Sequence, residues 1–275
     1  MTLGWLSDIH LDHTESRVRE DFLRELAITP VDAWLISGDI DIAPSLVASL
    51  KEIEAAVATP VCFTLGNHDF YGGSFARVRE EVAALAREPN RLTWLTNAPP
   101  QQLAPGLVLV GDDSWADARF GDPLGSWVDV NDFYLIDELW GLENKARVRT
   151  LNALGDEAAA RLEAKLRDAV QSARNVIVLT HVPPFREATV YDGKISGDEW
   201  LPWFSCKAVG EVILSCAAAN PRCEILVLCG HTHGAGSCTP APNVRVLTAG
   251  AEYGAPRVRA LIGLRDGKWT GLATG

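Results

Sequence analysis

Val61-Cys62-Phe63-Thr64-Leu65-Gly66-Asn67-His68-Asp69 is an apolar run that breaks at a glycine into three polar side chains. The run reads as a buried strand, and Gly66 lets the chain turn as the strand ends. The same build recurs at four other places. Trp5-Leu6 runs into Ser7-Asp8-Ile9-His10, and Ala33-Trp34-Leu35-Ile36 into Ser37-Gly38-Asp39. Val176-Ile177-Val178-Leu179 ends at Thr180-His181, and Ile225-Leu226-Val227-Leu228 at Cys229-Gly230-His231-Thr232-His233.

Between the first three runs lie helical stretches. Val18, Phe22 and Leu26 recur every four residues, and further helices are expected over 45–57 and 74–87. This strand, helix, strand rhythm implies parallel strands with helical crossovers, whose ligands gather beyond the carboxyl ends of the strands. Past Pro99-Pro100 the strands shorten, as in Leu107-Val108-Leu109-Val110. A long helix should close at about Ser172, burying Leu162, Leu166 and Val170 and pairing Glu163 with Arg167 on its surface. Another helix is expected over 207–219, then strands at 244–247 and 258–262 with a turn at Arg265-Asp266-Gly267-Lys268. Two irregular stretches, 112–131 and 182–205, are too long for plain connectors and are expected to rim a site. With no repeat and no linker, residues 1–275 read as a single domain.

Of the 275 residues, 47% are hydrophobic and 22% charged, which suits a globular core. The net charge of −11 disfavours a broad grip on a nucleic-acid backbone. No apolar run approaches the roughly 18 residues of a membrane span, and the start lacks a basic segment leading into an apolar one. A cytoplasmic protein is therefore expected; oligomeric state is not legible. Cys62 and Cys229 sit in apolar runs and read as buried thiols, while Cys206, Cys216, Cys223 and Cys238 show no zinc spacing and leave their pairing open.

Five of the six histidines fall at these strand ends; only His13 does not, and it reads as a surface residue or a support behind the site. A lone strand-end histidine is more often a core or surface residue than a ligand. Five, each beside Asp, Asn or Gly, point to metal. Asp8 with His10, and His231 with His233, stand two apart, so each pair can face one way. Asp39 has two oxygens and can bridge two ions, Asn67 offers a carbonyl oxygen, and His181 another imidazole. Two divalent ions, two aspartates and a bridging hydroxide leave a positive surplus suited to an anionic phosphoryl group. The leaving alkoxide needs a proton, for which His68 is the candidate, with Asp69 steadying its other ring nitrogen.

The set Asp8-x-His10, Gly38-Asp39, Gly66-Asn67-His68-Asp69, His181 and Gly230-His231-x-His233 resembles the calcineurin-like metallophosphoesterase family, in order, from residue 8 to 233. The resemblance implies an α/β fold, a sandwich of two mixed β-sheets flanked by helices. It implies two divalent transition-metal ions (Mn, Fe, Zn or similar), the first held by Asp8, His10, Asp39 and His233, the second by Asp39, Asn67, His181 and His231. It further implies hydrolysis of phosphomonoesters or phosphodiesters by a metal-bound hydroxide, with His68 as the acid. The family often continues Gly-Asp-x-x-Asp, whereas Ile40-Asp41 follows directly here, so Asp41 either supports the site or caps the loop. The family's protein phosphatases carry Glu where Asp69 stands, which argues against a Ser/Thr protein phosphatase. Asp113, Trp115 and Arg119 of the first long loop, and Trp200, Trp203 and Phe204 of the second, are the candidate substrate rim. The competing readings are a nuclease acting on DNA or RNA and a non-catalytic scaffold of the same fold.

Overall fold

Alternate residues of a strand point to opposite faces, and an uninterrupted apolar run belongs to a strand covered on both. In the computed structural model, which describes residues 1–265 and 267–272, this sorting builds the whole molecule. The first half runs β1 (Thr2–Leu6), α1 (Ser16–Ile28), β2 (Ala33–Ser37), α2 (Leu46–Ala56), β3 (Val61–Thr64), α3 (Phe75–Arg87), β4 (Leu92–Trp94), β5 (Gln101–Ala104) and β6 (Leu107–Gly111). It continues through a one-turn α4 (Asp132–Leu135), the long α5 (Asn144–Ser172), β7 (Asn175–Leu179), and a small hairpin of β8 (Val190–Tyr191) and β9 (Lys194–Ile195). The last elements are α6 (Leu201–Phe204), α7 (Lys207–Ala219), β10 (Glu224–Cys229), β11 (Gly236–Ala241), β12 (Val244–Thr248), β13 (Ala260–Arg265) and β14 (Lys268–Thr270).

Two six-stranded mixed sheets result, ordered β14-β13-β1-β2-β3-β4 and β11-β12-β10-β7-β6-β5. Strands β1 to β4 are parallel in the first, and β6, β7, β10 and β12 in the second, with antiparallel strands at the margins. Leu3, Trp5, Ala33 and Leu35 face Ile177, Leu179, Leu226 and Leu228 across the middle of the sandwich. Their neighbours Leu6, Trp34 and Ile36 point outward into a second core with Phe22, Leu26 and Leu50 of the helices. Helices α5 and α7 pack against each other over the second sheet, and α1, α2 and α3 are the helices of the first. The fold is the expected α/β sandwich of two mixed sheets flanked by helices.

The stripe Leu162, Leu166 and Val170 is buried on α5, and Glu163 pairs with Arg167. The stretch 182–205 is less bare than expected, since it holds the β8–β9 hairpin and α6. Of the tail turn, Asp266 lies outside the described residues. All six cysteines are unpaired, and burial pushes the Cys206 thiol up to about 12.

The parallel strands bring their carboxyl ends to one seam between the sheets. The Asp8 and His10 amides donate to the Gly38 and Asp39 carbonyls, tying the β1 and β2 ends together. Across the sandwich, the Gly230 amide donates to the His181 carbonyl and the His181 Nδ1 to Ser37 O at 2.9 Å. Every strand-end motif noted above therefore opens into one place.

Candidate metal centre

Besides a more exposed group of Asp12, His13 and His68, two groups of donor atoms form at the seam, Asp8, His10, Asp39 and His233, and Asp39, His181 and His231, each with its atoms within 4.8 Å of one another. Asp39 belongs to both. Its Oδ2 lies 3.7 Å from His10 Nε2 and its Oδ1 3.4 Å from His181 Nε2. Asn67 joins the second group, its Oδ1 lying 3.0 Å from His181 Nε2 and 2.9 Å from His231 Nδ1.

The backbone takes an unusual shape to do this. Asp8, His10, Asp39, His231 and His233 all have positive φ, between 42° and 71°. Non-glycine residues rarely enter this left-handed region, and strain of this kind gathers at functional sites. The pairs Asp8/His10 and His231/His233 thus share a side through matching strained turns beyond β1 and β10, rather than through strand alternation. Gly66 explains the tight approach of β3's end, since a Cβ there would stand 2.1 Å from Asp39 Oδ1 and 2.6 Å from the Asp39 amide nitrogen. Gly66→Ala should therefore displace Asp39, costing about 1–3 kcal/mol in urea unfolding and at least one bound ion by elemental analysis.

Supporting bonds decide which atom each candidate donor presents. His181 spends Nδ1 on the Ser37 carbonyl, which leaves Nε2 facing inward. His231 spends Nε2 on the Trp203 carbonyl at 3.1 Å, which leaves Nδ1. The Asn67 amide nitrogen donates to Asp132 Oδ1 at 2.8 Å and to the Tyr71 hydroxyl at 3.0 Å, so its oxygen must turn to the histidines. Asp8 Oδ1 accepts the His231 amide at 2.8 Å, and Ser7 Oγ donates to Asp8 Oδ2.

The electrostatics fit cations. Burial, then Asp8 and Asp69, lift the Asp39 carboxyl well above its ordinary range. Burial lowers His10 to about 3 and His231 to about 4, so these rings are neutral imidazoles at neutral pH. Asp8 is raised by burial, but the neighbouring imidazoles His181, His233 and His10 hold it lower on balance. His10 Nε2 faces His233 Nε2 at 3.0 Å, two nitrogens aimed at one point, and His10 Nδ1 is buried without a partner. Neutral imidazoles, buried carboxylates and an amide oxygen form a donor set suited to divalent transition metals.

His68 stacks on Tyr71 at 4.2 Å between centroids and meets His10 edge-on at 4.5 Å. Its Nε2 lies 3.4 Å from the Tyr253 hydroxyl, while its Nδ1 is buried without a partner. Asp69 does not touch this ring, which corrects the expectation that it steadies His68. The 3-10 turn His68–Phe70 aims Asp69 the other way, where it accepts the amides of Ile40 at 2.9 Å, Asp41 at 3.0 Å and Gly66 at 2.7 Å. Burial pushes its carboxyl up to about 8 against the pull of those amides. Asp69 ties the Asp39 loop to the Asn67 loop. Asp41 ties its loop to α2 by accepting the Ile42 amide and the Ser45 and Ser49 hydroxyls. His13, half exposed, lies edge-on to Tyr253 at 4.7 Å.

Of the substrate-rim residues, three lie elsewhere. Asp113 is 1% exposed and its Oδ1 accepts the Leu65 amide at 2.7 Å and Trp94 Nε1 at 2.8 Å. Trp115 is buried edge-on against Phe75 and Phe70, and Arg119 pairs with Asp117 and Asp156 beside α5. A strand end under the fold drew them in. Trp203 lines a cleft of about 220 Å³ over the donors, and Trp200 a neighbouring cavity of about 620 Å³; Phe204, His231, His233 and Tyr253 line both. The first loop reaches the cleft only at its far end, through Asp129, Val130 and Asn131, followed by Asp132. Asp132 and Tyr253 have no motif in the sequence and were missed. Asp132→Ala should free the Asn67 amide to rotate and weaken metal binding about 10- to 100-fold, measured by competition with a chelating dye.

The calcineurin-like phosphoesterase family profile matches residues 1–235. The chain belongs to the calcineurin-like phosphoesterase family. No curated protein matches the chain. Among solved structures, this phosphoesterase-family chain is similar to the phosphopantetheinyl hydrolase of Mycobacterium tuberculosis, with a TM-score of 0.67, 17% identity, and 92% of this chain and 90% of that one covered. It is also similar to a dimetal phosphatase from Danio rerio, with a TM-score of 0.61, 16% identity, and 97% and 93% covered. A third similar structure is GAP50, the anchor in the inner membrane complex of Plasmodium, with a TM-score of 0.50, 12% identity, and 91% and 71% covered. At these identities the likeness is one of fold, and function has to be argued from the site. Among the described residues, no helix is long and apolar enough to cross a membrane.

Proposed function

We propose that this chain is a dinuclear metal-dependent phosphoesterase, hydrolysing phosphomonoesters or phosphodiesters, with His68 donating a proton to the leaving alcohol. The observation that carries this reading is the pair of donor groups sharing Asp39. Asp8, His10, Asp39 and His233 would hold one divalent ion, and Asp39, Asn67, His181 and His231 the other. When bound, two such ions acidify a shared water and neutralise phosphoryl oxygens. Asp132 and Tyr71 hold Asn67 in register, and the carbonyls of Ser37 and Trp203 fix the tautomers of His181 and His231.

His68 lines the same cleft, which supports its reading as the donor to a leaving oxygen. Burial and the surrounding imidazoles push it below its ordinary range, and it rests neutral. The arriving phosphoryl anion favours the charged ring, so His68 would take up a proton from solvent as the substrate binds and pass it to the leaving oxygen. Tyr253, 3.4 Å away, braces Nε2 from the open side.

The test is hydrolysis of p-nitrophenyl phosphate and bis(p-nitrophenyl) phosphate before chelation, after it, and after adding back Mn²⁺ or Zn²⁺. The expected result is activity that chelation abolishes and metal restores, with two ions per chain by elemental analysis. Full activity in the chelated protein would sink the reading. Two bound ions with no hydrolysis of either ester would favour the scaffold.

A further inference from the structure

We propose that the substrate is a small phosphodiester, one of whose alcohols carries a planar ring; this deepens the phosphoesterase reading and rests on it. The first observation is the charge of the cleft. Besides Asp39, its lining includes Asp129 and Asp132, and no lysine or arginine is among the lining residues. Asp132 Oδ1 accepts hydrogen bonds from both the Asn67 amide and the Tyr71 hydroxyl. With Asp8 and Asp39 they match in number the positive charges of two divalent ions. Two guanidinium groups act on these carboxylates from outside the lining, Arg259 on Asp8 and Arg147 on Asp129. Arg259 donates from behind β1 to the Ser7 and Asp8 carbonyls at 3.3 and 3.5 Å, and Arg147 lies over the Phe133 ring at 3.6 Å and donates to the Leu142 carbonyl.

A monoester dianion entering such a cleft meets carboxylates but no lysine or arginine in its lining. Its second charge faces Asp129 and Asp132, whereas a diester carries a single negative charge. Like charges facing one another across the cleft oppose the dianion more than the monoanion.

The second observation is the adjoining cavity of about 620 Å³, which shares His231, His233, Phe204 and Tyr253 with the cleft. That volume is in the usual range of small-molecule sites, about 300–1,000 Å³. Tyr191, Trp200, Phe204 and Tyr253 line it, and the only charged side chains among its lining other than histidine, Lys194 and Glu199, are of opposite sign. Trp200 and Tyr253 are 37% and 50% exposed, so they keep surface free for stacking a ring. A methyl or glyceryl alcohol would leave most of this space unfilled. A polynucleotide would need a track of cationic side chains, and neither cavity has one.

The experiment has three arms on the metal-loaded protein and one on the chelated protein. Bis(p-nitrophenyl) phosphate should exceed p-nitrophenyl phosphate in kcat/KM by at least about tenfold, and Asp129→Asn should narrow that ratio by favouring the monoester. Trp200→Ala should lower kcat/KM for thymidine 5′-(p-nitrophenyl phosphate) at least about fivefold more than for methyl p-nitrophenyl phosphate. In the chelated protein, calorimetry should show thymidine binding that Trp200→Ala weakens. A monoester preference overturns the diester assignment, and equal loss on both esters, or thymidine binding indifferent to Trp200, overturns the ring. Cleavage of single-stranded DNA faster than of the thymidyl ester, with steep salt dependence, makes the substrate a polynucleotide instead. Loaded protein that hydrolyses none of these esters sinks the phosphoesterase reading itself, and this inference with it.

Discussion

Asp39→Asn should cut bound metal from two ions to at most one and lower turnover at least about a thousandfold, because several kcal/mol of charge stabilisation rest on both ions. Asp39 is the residue common to both donor groups, with one oxygen toward His10 and the other toward His181. An amide keeps the size but gives up the charge and one of the two acceptors. The same substitution should stabilise the chelated protein. Burial, with Asp8 and Asp69 close by, raises the folded-state pKa of Asp39. A carboxyl raised in this way costs nothing below its unfolded value and destabilises increasingly as the pH climbs above it. Chelated Asp39→Asn should therefore melt higher than chelated wild type at pH 7–8, with the difference fading toward acid. Equal melting at both pH values would mean that Asp39 is not buried among uncompensated charges.

His68→Ala should behave oppositely, keeping both ions while losing turnover by about 10²- to 10⁴-fold, the usual range for a positioned proton donor. None of the donor contacts described above passes through its ring, which packs on Tyr71 and His10 and reaches Tyr253. The loss should be larger for an alkyl leaving group than for p-nitrophenolate, because a poor leaving group depends more on the proton. Two bound ions with leaving-group-dependent loss is the expected pattern. Metal loss in this variant would make His68 a ligand or a packing residue.

The sandwich was legible in the chain because its central parallel strands are buried on both faces and five of them, β1, β2, β3, β7 and β10, end in a visible break. The crowding of histidines at those breaks marked the seam, since few core positions tolerate an imidazole beside a carboxylate. What sequence could not convey was direction. Asp69 follows His68 in the chain, yet the 3-10 turn sends it to the amides of Ile40, Asp41 and Gly66. Asp113 and Trp115 follow a strand end as Asp8 and His10 do, yet they turn into the β3 terminus and the α3 core. Asp132 and Tyr253 reach the cleft from a one-turn helix and a tail loop, where short-range pattern carries no signal. The Asp8/His10 pairing was reasoned from strand alternation, while the structure makes it with left-handed backbone.

Neither sheet supplies a complete set of donors. The first group joins Asp8, His10 and Asp39 from one sheet to His233 from the other, and the second joins Asp39 and Asn67 to His181 and His231. Each ion would act as a rivet through two plates. A rivet binds only the state in which the plates are already aligned, so free metal adds to stability by mass action, about 2.7 kcal/mol per site at a hundredfold excess over its dissociation constant. Metal supply would then govern how much of the chain is folded as well as how much of it turns over substrate.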